Sequence, residues 1–440
     1  MMGRTSTAFL AFAAFLVSGC ASGGKGTAAG AGAGAAAGMV LPAGTDSSQI
    51  FKNEWCFCIL PTIIPERPAS RSNIAYAIAT GRNGRVFLAG TEPRGDETIG
   101  SGWTVRAVDL DGTVAWSRSY TSQRNYYDVA RSLASCPKDR IAVAGYSEFS
   151  KNSITPARWL VEAYSADGGT LWSDEFGENG MARAESASCD PAGRLAVAGW
   201  MSRGPASKDT WGLVRSYGPE GKLLWSRTFG GILGGKDRAT AVVACPDSSV
   251  LVAGREDEGG ARSAWRLIRF SPTGAVAWSR SYYGPSPWQD EPAAVAVADD
   301  GRIAMAGKVS GGTTEHMNWR VMLLDRDGVP VWTRDHNGPK GLDDKAFAVA
   351  FDRKGRLIVA GYEDGDASQA PPYDAGEWAA YLYGKDGKVM KKLGAAELGT
   401  KPGSAFALAF RGQEVLVAGF EQLDDVGKTR WLSRKLEGME

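Results

Sequence analysis

Short runs of alternating apolar and polar residues fill most of this chain, as in Ala75-Tyr76-Ala77-Ile78-Ala79 and Ala346-Phe347-Ala348-Val349-Ala350. A period of two marks half-buried strands, and the runs are too short for helices. They also recur in a fixed order. An apolar run ending in Ala-Gly places its glycine at Gly90, Gly145, Gly199, Gly254, Gly307, Gly361 and Gly419, at spacings of 55, 54, 55, 53, 54 and 58 residues. Seven copies at one period define a repeat protein. Each copy holds four strand-like segments. The third begins at Trp103, Trp159, Trp211, Trp265, Trp319, Trp378 and Trp431; the fourth follows a Gly turn and carries Trp116, Trp172, Trp225, Trp278 and Trp332, with Met390 in the sixth copy.

Four short antiparallel strands repeated radially are a propeller blade. The predicted fold is therefore all-β: a seven-bladed β-propeller of four-stranded antiparallel blades. The first strand keeps a column of small residues (Ala75, Ala130, Ala184, Ala239, Ala346), as expected where strands crowd around an axis. The seventh copy supplies three strands, and its fourth is expected from Ile50–Phe57, with Trp55 as anchor. From Trp116, Trp225, Trp278 and Trp332 to the next blade is 12 residues, whereas Trp55 lies 18 before Asn73, so the closing loop is longer. The hexapeptide AWSRSY occurs at both Ala115–Tyr120 and Ala277–Tyr282. Read as one outer strand used twice, it points Trp inward and Arg118 or Arg280 toward solvent.

The N-terminus has a different character. The apolar run Ala8–Val17 is about half the length of a spanning helix and reads as a secretion signal. Val17-Ser18-Gly19-Cys20 resembles a bacterial lipoprotein signal, which implies that residues 1–19 are removed and that Cys20 is lipidated, palmitate included. Ala21 rather than Asp then implies the outer membrane. Residues 20–47 are the lipidated Cys and a Gly/Ala/Ser-rich flexible tether, and 48–440 the propeller.

The unit from Cys189 to Gly231, CDPAGRLAVAGW…DTWGLVRSYGPEGKLLWSRTFGG, resembles the bacterial propeller repeats of the SBBP and delta-60 types. Its Gly-x-x-x-Trp half (Gly221 to Trp225, Gly274 to Trp278, Gly328 to Trp332) is similar to the outer strands of quinoprotein propellers. The first resemblance implies an architecture without a common activity. Seven copies rather than eight, and no adjacent Cys-Cys pair, count against a quinoprotein dehydrogenase.

Lys+Arg 50 against Asp+Glu 49 leaves a net charge of +1, so no nucleic-acid partner is expected. The expected partners are the membrane, through the lipid on Cys20, and a protein or cell-envelope polymer, bound by a monomeric propeller. Loops joining the second strand to the third, and those entering the first, share one face, where binding is expected. That face gathers Tyr126, Tyr127, Trp200, Tyr282, Tyr283, Trp288, His336 and Asn337. Asn73, Asp128, Asp237, Asp290 and Asp344 open the first strand and would ring the channel mouth, either as a polar-ligand site or as acceptors of backbone N–H bonds. His316 and His336 show no metal spacing. Cys136, Cys189 and Cys245 fall at near-equivalent places in successive copies and are read as buried thiols; Cys56 and Cys58 are too far apart along a strand to bridge. No cofactor, metal or catalytic residue is assigned. The reading is a non-catalytic binding or scaffold module. The alternative is a propeller enzyme, either a glycan hydrolase or lyase or a quinoprotein-like oxidoreductase.

Overall fold

The computed structural model describes residues 74–439, apart from loop segments at 82, 94–100, 121–126, 149–156, 178–180, 205–206, 208, 232–234, 260–261, 287, 313–315, 366–375 and 424–428. Cys20, Trp55, Cys56, Cys58, Asn73 and Tyr126, with the tether and the expected closing strand, lie outside the described residues.

Each repeat is an antiparallel meander, from the innermost strand outward, in a β-propeller-like arrangement. The repeat containing Gly254 pairs Arg238–Ala244, Val250–Gly259, Arg262–Phe270 and Val276–Tyr282 in that order. The expected seven separate four-stranded sheets are not what the hydrogen bonds give. Sheets of four or more strands number five among the described residues: one of eight and four of four. A sixth, Gly403–Arg411, Glu414–Gln422 and Thr429–Lys435, has three. The eight-stranded sheet holds the first two repeats, joined by one parallel bridge between Ser101 and Tyr127.

The recurring glycine has one cause throughout. In every repeat the first strand bulges by one residue opposite it. The bulge pushes a carbonyl inward, so that a Cβ on the glycine would sit 1.9–2.4 Å from the oxygen of Ile74, Val129, Arg183, Arg238, Glu291, Lys345 or Ser404. Any side chain there collides with backbone.

Between sheets, the third-strand tryptophans Trp103, Trp159, Trp265, Trp319 and Trp378 are fully buried. Each buries about 150–250 Å², or about 4–6 kcal/mol gross. Trp211 departs from this ladder. It is shifted by one position, and Gly212 takes the equivalent place opposite Phe229, as Trp319 lies opposite His336. The Phe229 ring fills the vacated space, 2.2 Å from where a Gly212 Cβ would stand.

The outer strands explain the repeated hexapeptide. Trp116, Trp172, Trp225, Trp278 and Trp332 each lie on the turn glycine of the next repeat: Gly168, Gly221, Gly274, Gly328 and Gly387, all at positive φ. Four of the indoles also donate to a carbonyl of that turn, Trp116 to Ala166, Trp172 to Pro219, Trp225 to Pro272 and Trp332 to Lys385. The arginine two residues on does not point to solvent as expected. Arg118 Nε donates to the Gly168 carbonyl at 2.7 Å, Arg227 to Gly274 at 2.8 Å and Arg334 to Gly387 at 3.1 Å. Arg280 lies against the Trp278 ring and meets Gly328. Where Met390 replaces Trp, the equivalent turn glycine of the last repeat, Gly438 at φ +67°, meets the Lys391 side chain instead.

The last repeat meets the first directly. Trp431 Nε1 donates to the Thr91 carbonyl at 3.0 Å, Thr80 Oγ1 donates to Phe410 O at 2.6 Å, and Arg106 covers the Trp431 ring. Ala75, Ile78 and Leu88 share a core with Ala407, Leu416 and Trp431.

Cys136 and Cys189 form a disulfide with Cα atoms 5.3 Å apart, which corrects the expectation of thiols. Equivalent positions of adjacent repeats are neighbours in space, and here that adjacency brings two cysteines together. Cys245, one repeat further, is a buried free thiol.

Replacing Gly361 by Ala puts a methyl group 2.0 Å from the Lys345 carbonyl, whereas Gly204 has nothing within 4 Å. Urea unfolding is expected to show Gly361→Ala less stable by about 2–4 kcal/mol and Gly204→Ala unchanged. Equal midpoints for the two variants would contradict the bulge as the reason for the repeat glycine.

Candidate axial binding site

The first-strand bulge also shapes the site. The residues within it are Tyr76, Arg131, Glu185, Thr240, Ala293, Phe347 and Phe406, one per repeat. From the sixth repeat through the seventh and first to the third they touch one another. Phe347 and Phe406 ring centroids lie 4.6 Å apart, Phe406 and Tyr76 5.4 Å, Arg131 sits 4.5 Å from the Tyr76 ring, and Arg131 Nε donates to Glu185 at 2.9 Å. The alanines expected to line the axis (Ala75, Ala130, Ala184, Ala239, Ala346) instead pack between sheets, fully buried. The bulge turns the neighbouring residue toward the axis.

Beside each bulge a cross-strand pair borders the same edge: Arg183 with Trp200, Arg238 with Arg255, Glu291 with Lys308 and Lys345 with Tyr362. Arg183 stacks 4.3 Å from the Tyr146 ring and pairs with Glu148. Arg238 Nη1 lies 3.6 Å from Glu291, and about a third of each of the Arg131 and Arg238 side chains reaches solvent. Burial disfavours the Glu291 charge, but Arg238, Lys308, Lys345 and Arg255 together outweigh it and bring its carboxyl down to about 2. Burial drives the Tyr146 phenol well up, against the pull of Arg183 and Arg131.

The residues expected on a binding face are dispersed. Tyr283 (47% exposed) and Trp288 (37%) stand in solvent; Tyr283 Oη donates to Glu258 at 2.7 Å, and Trp288 bridges to Arg262. Tyr127 is exposed in the second repeat, and Asn337 is exposed. Trp200 belongs to the mouth, against Arg183, with its indole donating to Glu185 at 3.2 Å. Tyr282 does not lie on that face. It is buried, and its hydroxyl donates to the Gly328 carbonyl at 2.6 Å because the outer strand turns it toward the next repeat. His336 joins a buried network with Glu363 and Tyr381, to which Lys392 also donates at 2.6 Å. His316 faces Asp343 instead, 3.6 Å away.

Asp128, Asp237, Asp290 and Asp344 are fully buried. Asp290 accepts backbone N–H bonds from Gly284 at 2.7 Å and Ser310 at 2.9 Å, and Asp344 accepts them from Gly338 at 2.7 Å and Asp364 at 2.9 Å. Asp237 accepts from Asp257 N at 2.7 Å and faces Arg203. Each of Asp290 and Asp344 thus ties the incoming loop to the second strand of its own repeat. A cavity of about 280 Å³ lies elsewhere, between the second and third repeats, lined by Cys136, Lys138, Trp172 and Pro219. The mouth was missed in the sequence because the inner column was assigned to the alanines; charged and aromatic residues one step along from them (Tyr76, Arg131, Glu185, Phe347, Phe406) were its available signal.

No protein-family signature matches the chain, and no characterised protein matches it in sequence. Among solved structures it is similar to polysaccharide lyase Uly1, at TM-score 0.50 and 11% identity, over 84% of this chain and 89% of that one. It is also similar to the Hadza microbial sialidase Hz136 (TM-score 0.43, 8% identity, 76% and 73% covered). A protein of unknown function from Bacteroides caccae aligns at TM-score 0.40 and 14% identity, over 71% and 95%. At such identities the likeness to the lyase shows a shared fold alone.

Burial pushes the Asp344 carboxyl up to about 6, against the opposing pull of its two N–H donors. Because the folded value exceeds the unfolded one near 3.8, the folded state binds the proton more tightly. The stability contributed by this group is complete below about pH 4 and is lost as pH rises through 6. Relative to Asp344→Asn, the wild-type protein is therefore expected to lose about 2 kcal/mol between pH 4 and pH 7. Urea unfolding at the two pH values measures it, and a pH-independent difference would contradict the burial.

Proposed function

We propose that this chain is a lipid-anchored, non-catalytic propeller of seven blades that binds a cell-envelope polymer or protein through the face around its axial mouth. The count of seven is supported by the seven glycine bulges and by the direct contact of last repeat with first. The three-stranded last sheet is completed, in this reading, by Ile50–Phe57. Five outer-strand tryptophans grip the glycine of the next turn, and Gly112 opens such a turn at φ +85° in the first repeat. Trp55 is assigned to that grip. Lipid on Cys20 and a tether over 20–47 would hold the body at the outer membrane.

Binding rather than catalysis is supported by one observation. The mouth carboxylates whose partners are described stand beside cations, and the groups there with displaced titration lie far from neutrality: Glu291 near 2, and the Tyr146 phenol driven well up. A general acid or base works best with a pKa near the operating pH. Asp344, near 6, is enclosed by backbone donors and does not meet the mouth.

Two outcomes are expected. Deleting residues 48–58 should lower the thermal midpoint by about 5 °C or more, whereas deleting 21–47 leaves it unchanged; equal midpoints would remove the closing strand. In intact cells, crosslinking should capture a partner that Tyr283→Ala/Trp288→Ala loses and Cys20→Ser releases from the membrane fraction. Full recovery of the same partner by the double variant would contradict this choice of face.

A further inference from the structure

The outer tryptophans of the first two repeats have matching surroundings except at one place. In the first repeat Phe87, Ala107 and Trp116 stand side by side on the second, third and fourth strands. In the second repeat the same row reads Ala142, Ala163 and Trp172. Each indole meets a tyrosine of the following repeat: Trp116 and Tyr164 ring centroids lie 6.1 Å apart, Trp172 and Tyr217 5.7 Å. Trp116 also has the Phe87 ring, at 5.9 Å. The second repeat has no such ring to offer. Instead Ala142, Ala163 and Trp172 line the cavity of about 280 Å³, with Leu195 of the third repeat on its wall. Trp116 is accordingly buried, whereas Trp172 is half-buried. The Cys136–Cys189 disulfide ties together the two repeats that wall the space, which opposes the collapse by which a void in a core is usually reduced.

The charged groups on the walls are Lys138, Arg140 and Glu220. Arg140 donates through Nη1 alone among the described residues, to Pro219 O at 3.2 Å and to Glu220 at 3.3 Å. Its other guanidinium N–H groups keep their donor capacity. Glu220 is 82% exposed, so that ion pair is weak. Lys138 is exposed and makes no ion pair among the described residues; Asp139, next in the chain, is not on the cavity wall. An aromatic and aliphatic interior thus opens beside two cations and one carboxylate. An engineered cavity of about 150 Å³ holds benzene, so this one has room for a ring and a short arm.

We propose that the cavity binds a small aromatic carboxylate, with its phenyl ring in the place that Phe87 takes one repeat earlier and its carboxylate on Arg140 and Lys138. The site lies at the strand ends that carry the first-to-second and third-to-fourth turns, away from the axial mouth, and stands independently of the function proposed above. An inorganic anion matches the cations but leaves the apolar space empty. A neutral arene fills the space and leaves the guanidinium unused.

The probe is 3-phenylpropionate, titrated into the folded protein by calorimetry, with propionate, 3-phenylpropanamide and phenethylamine as counterparts lacking the ring, the charge, or its sign. Saturable heat is expected with 3-phenylpropionate, none with propionate, and weaker binding of the amide and the amine. Ala142→Phe writes the row of the first repeat into the second. It should keep or raise the unfolding midpoint and weaken 3-phenylpropionate by about tenfold or more. Should Ala142→Phe not fold, Ala163→Leu takes its place. Arg140→Gln should weaken 3-phenylpropionate by about tenfold or more and leave the amide unchanged. A free acid and the C-terminal phenylalanine of a peptide present the same chemistry; tighter binding of 3-phenylpropionate than of Ala-Phe supports the site as one for the free acid, and the reverse order supports it as one for a peptide end. No saturable heat with 3-phenylpropionate at millimolar concentration, equal affinity in the parent and the filled variant, or equal affinity for phenethylamine would each overturn the proposal.

Discussion

The structure depends on a contact made sideways, from one repeat to the next: an outer tryptophan closing on the glycine of the following turn in five repeats, joined in four of them by the arginine two residues later. A sheet of four strands leaves two apolar faces bare, and neither is covered by its own repeat. The third-strand indoles cover them inside, at about 4–6 kcal/mol gross each. The outer grip then fixes the angle between neighbours. Trp225 shows the requirement plainly. Its ring lies where a Gly274 side chain would be, its indole reaches Pro272, and Arg227 reaches Gly274 itself. Only a residue without Cβ, at positive φ, satisfies the turn and the ring together.

Because the sheets are held laterally, their inner edges are free to differ. The bulge beside each repeat glycine turns one residue of the first strand to the axis, and those seven residues need not match. The lateral contacts keep Trp on Gly in five copies and the following Arg in four, whereas the axial positions run from Tyr to Arg, Glu, Thr, Ala and Phe. Asymmetry at the axis within a symmetric frame is what a binding site on such a ring requires. The buried aspartates belong to the frame. Asp290 and Asp344 each hold two backbone N–H groups, which accounts for their recurrence in register, while burial raises both carboxyls against the pull of those donors.

Much of this frame was legible in the residues. Period-two runs gave strands, the spacing of Ala-Gly gave the repeat, and the tryptophan columns gave the contacts between sheets. Three features were not legible because they depend on contacts rather than pattern. AWSRSY does not reveal that its arginine turns back onto a neighbour's turn. Trp211 looks like its counterparts, but Gly212 and Phe229 had already exchanged roles with a tryptophan and its partner. Cys136 and Cys189 stand 53 residues apart in sequence and one blade apart in space. The axial site was hidden by parity: a bulge shifts the side-chain alternation by one, and alternation alone assigns the axis to the alanines.

Amide hydrogen exchange on Trp225→Ala tests the lateral grip most directly. In the parent protein Ser271 N–H donates to Ala275 O and Gly274 N–H to Ser271 O. If the grip holds the turn, protection at Gly274 and Ser271 falls by about tenfold or more while the turn at Gly168, held by Trp116, keeps its own. Unchanged protection at Gly274 would mean that the turn stands without its neighbour and that the sheets are held together by something else.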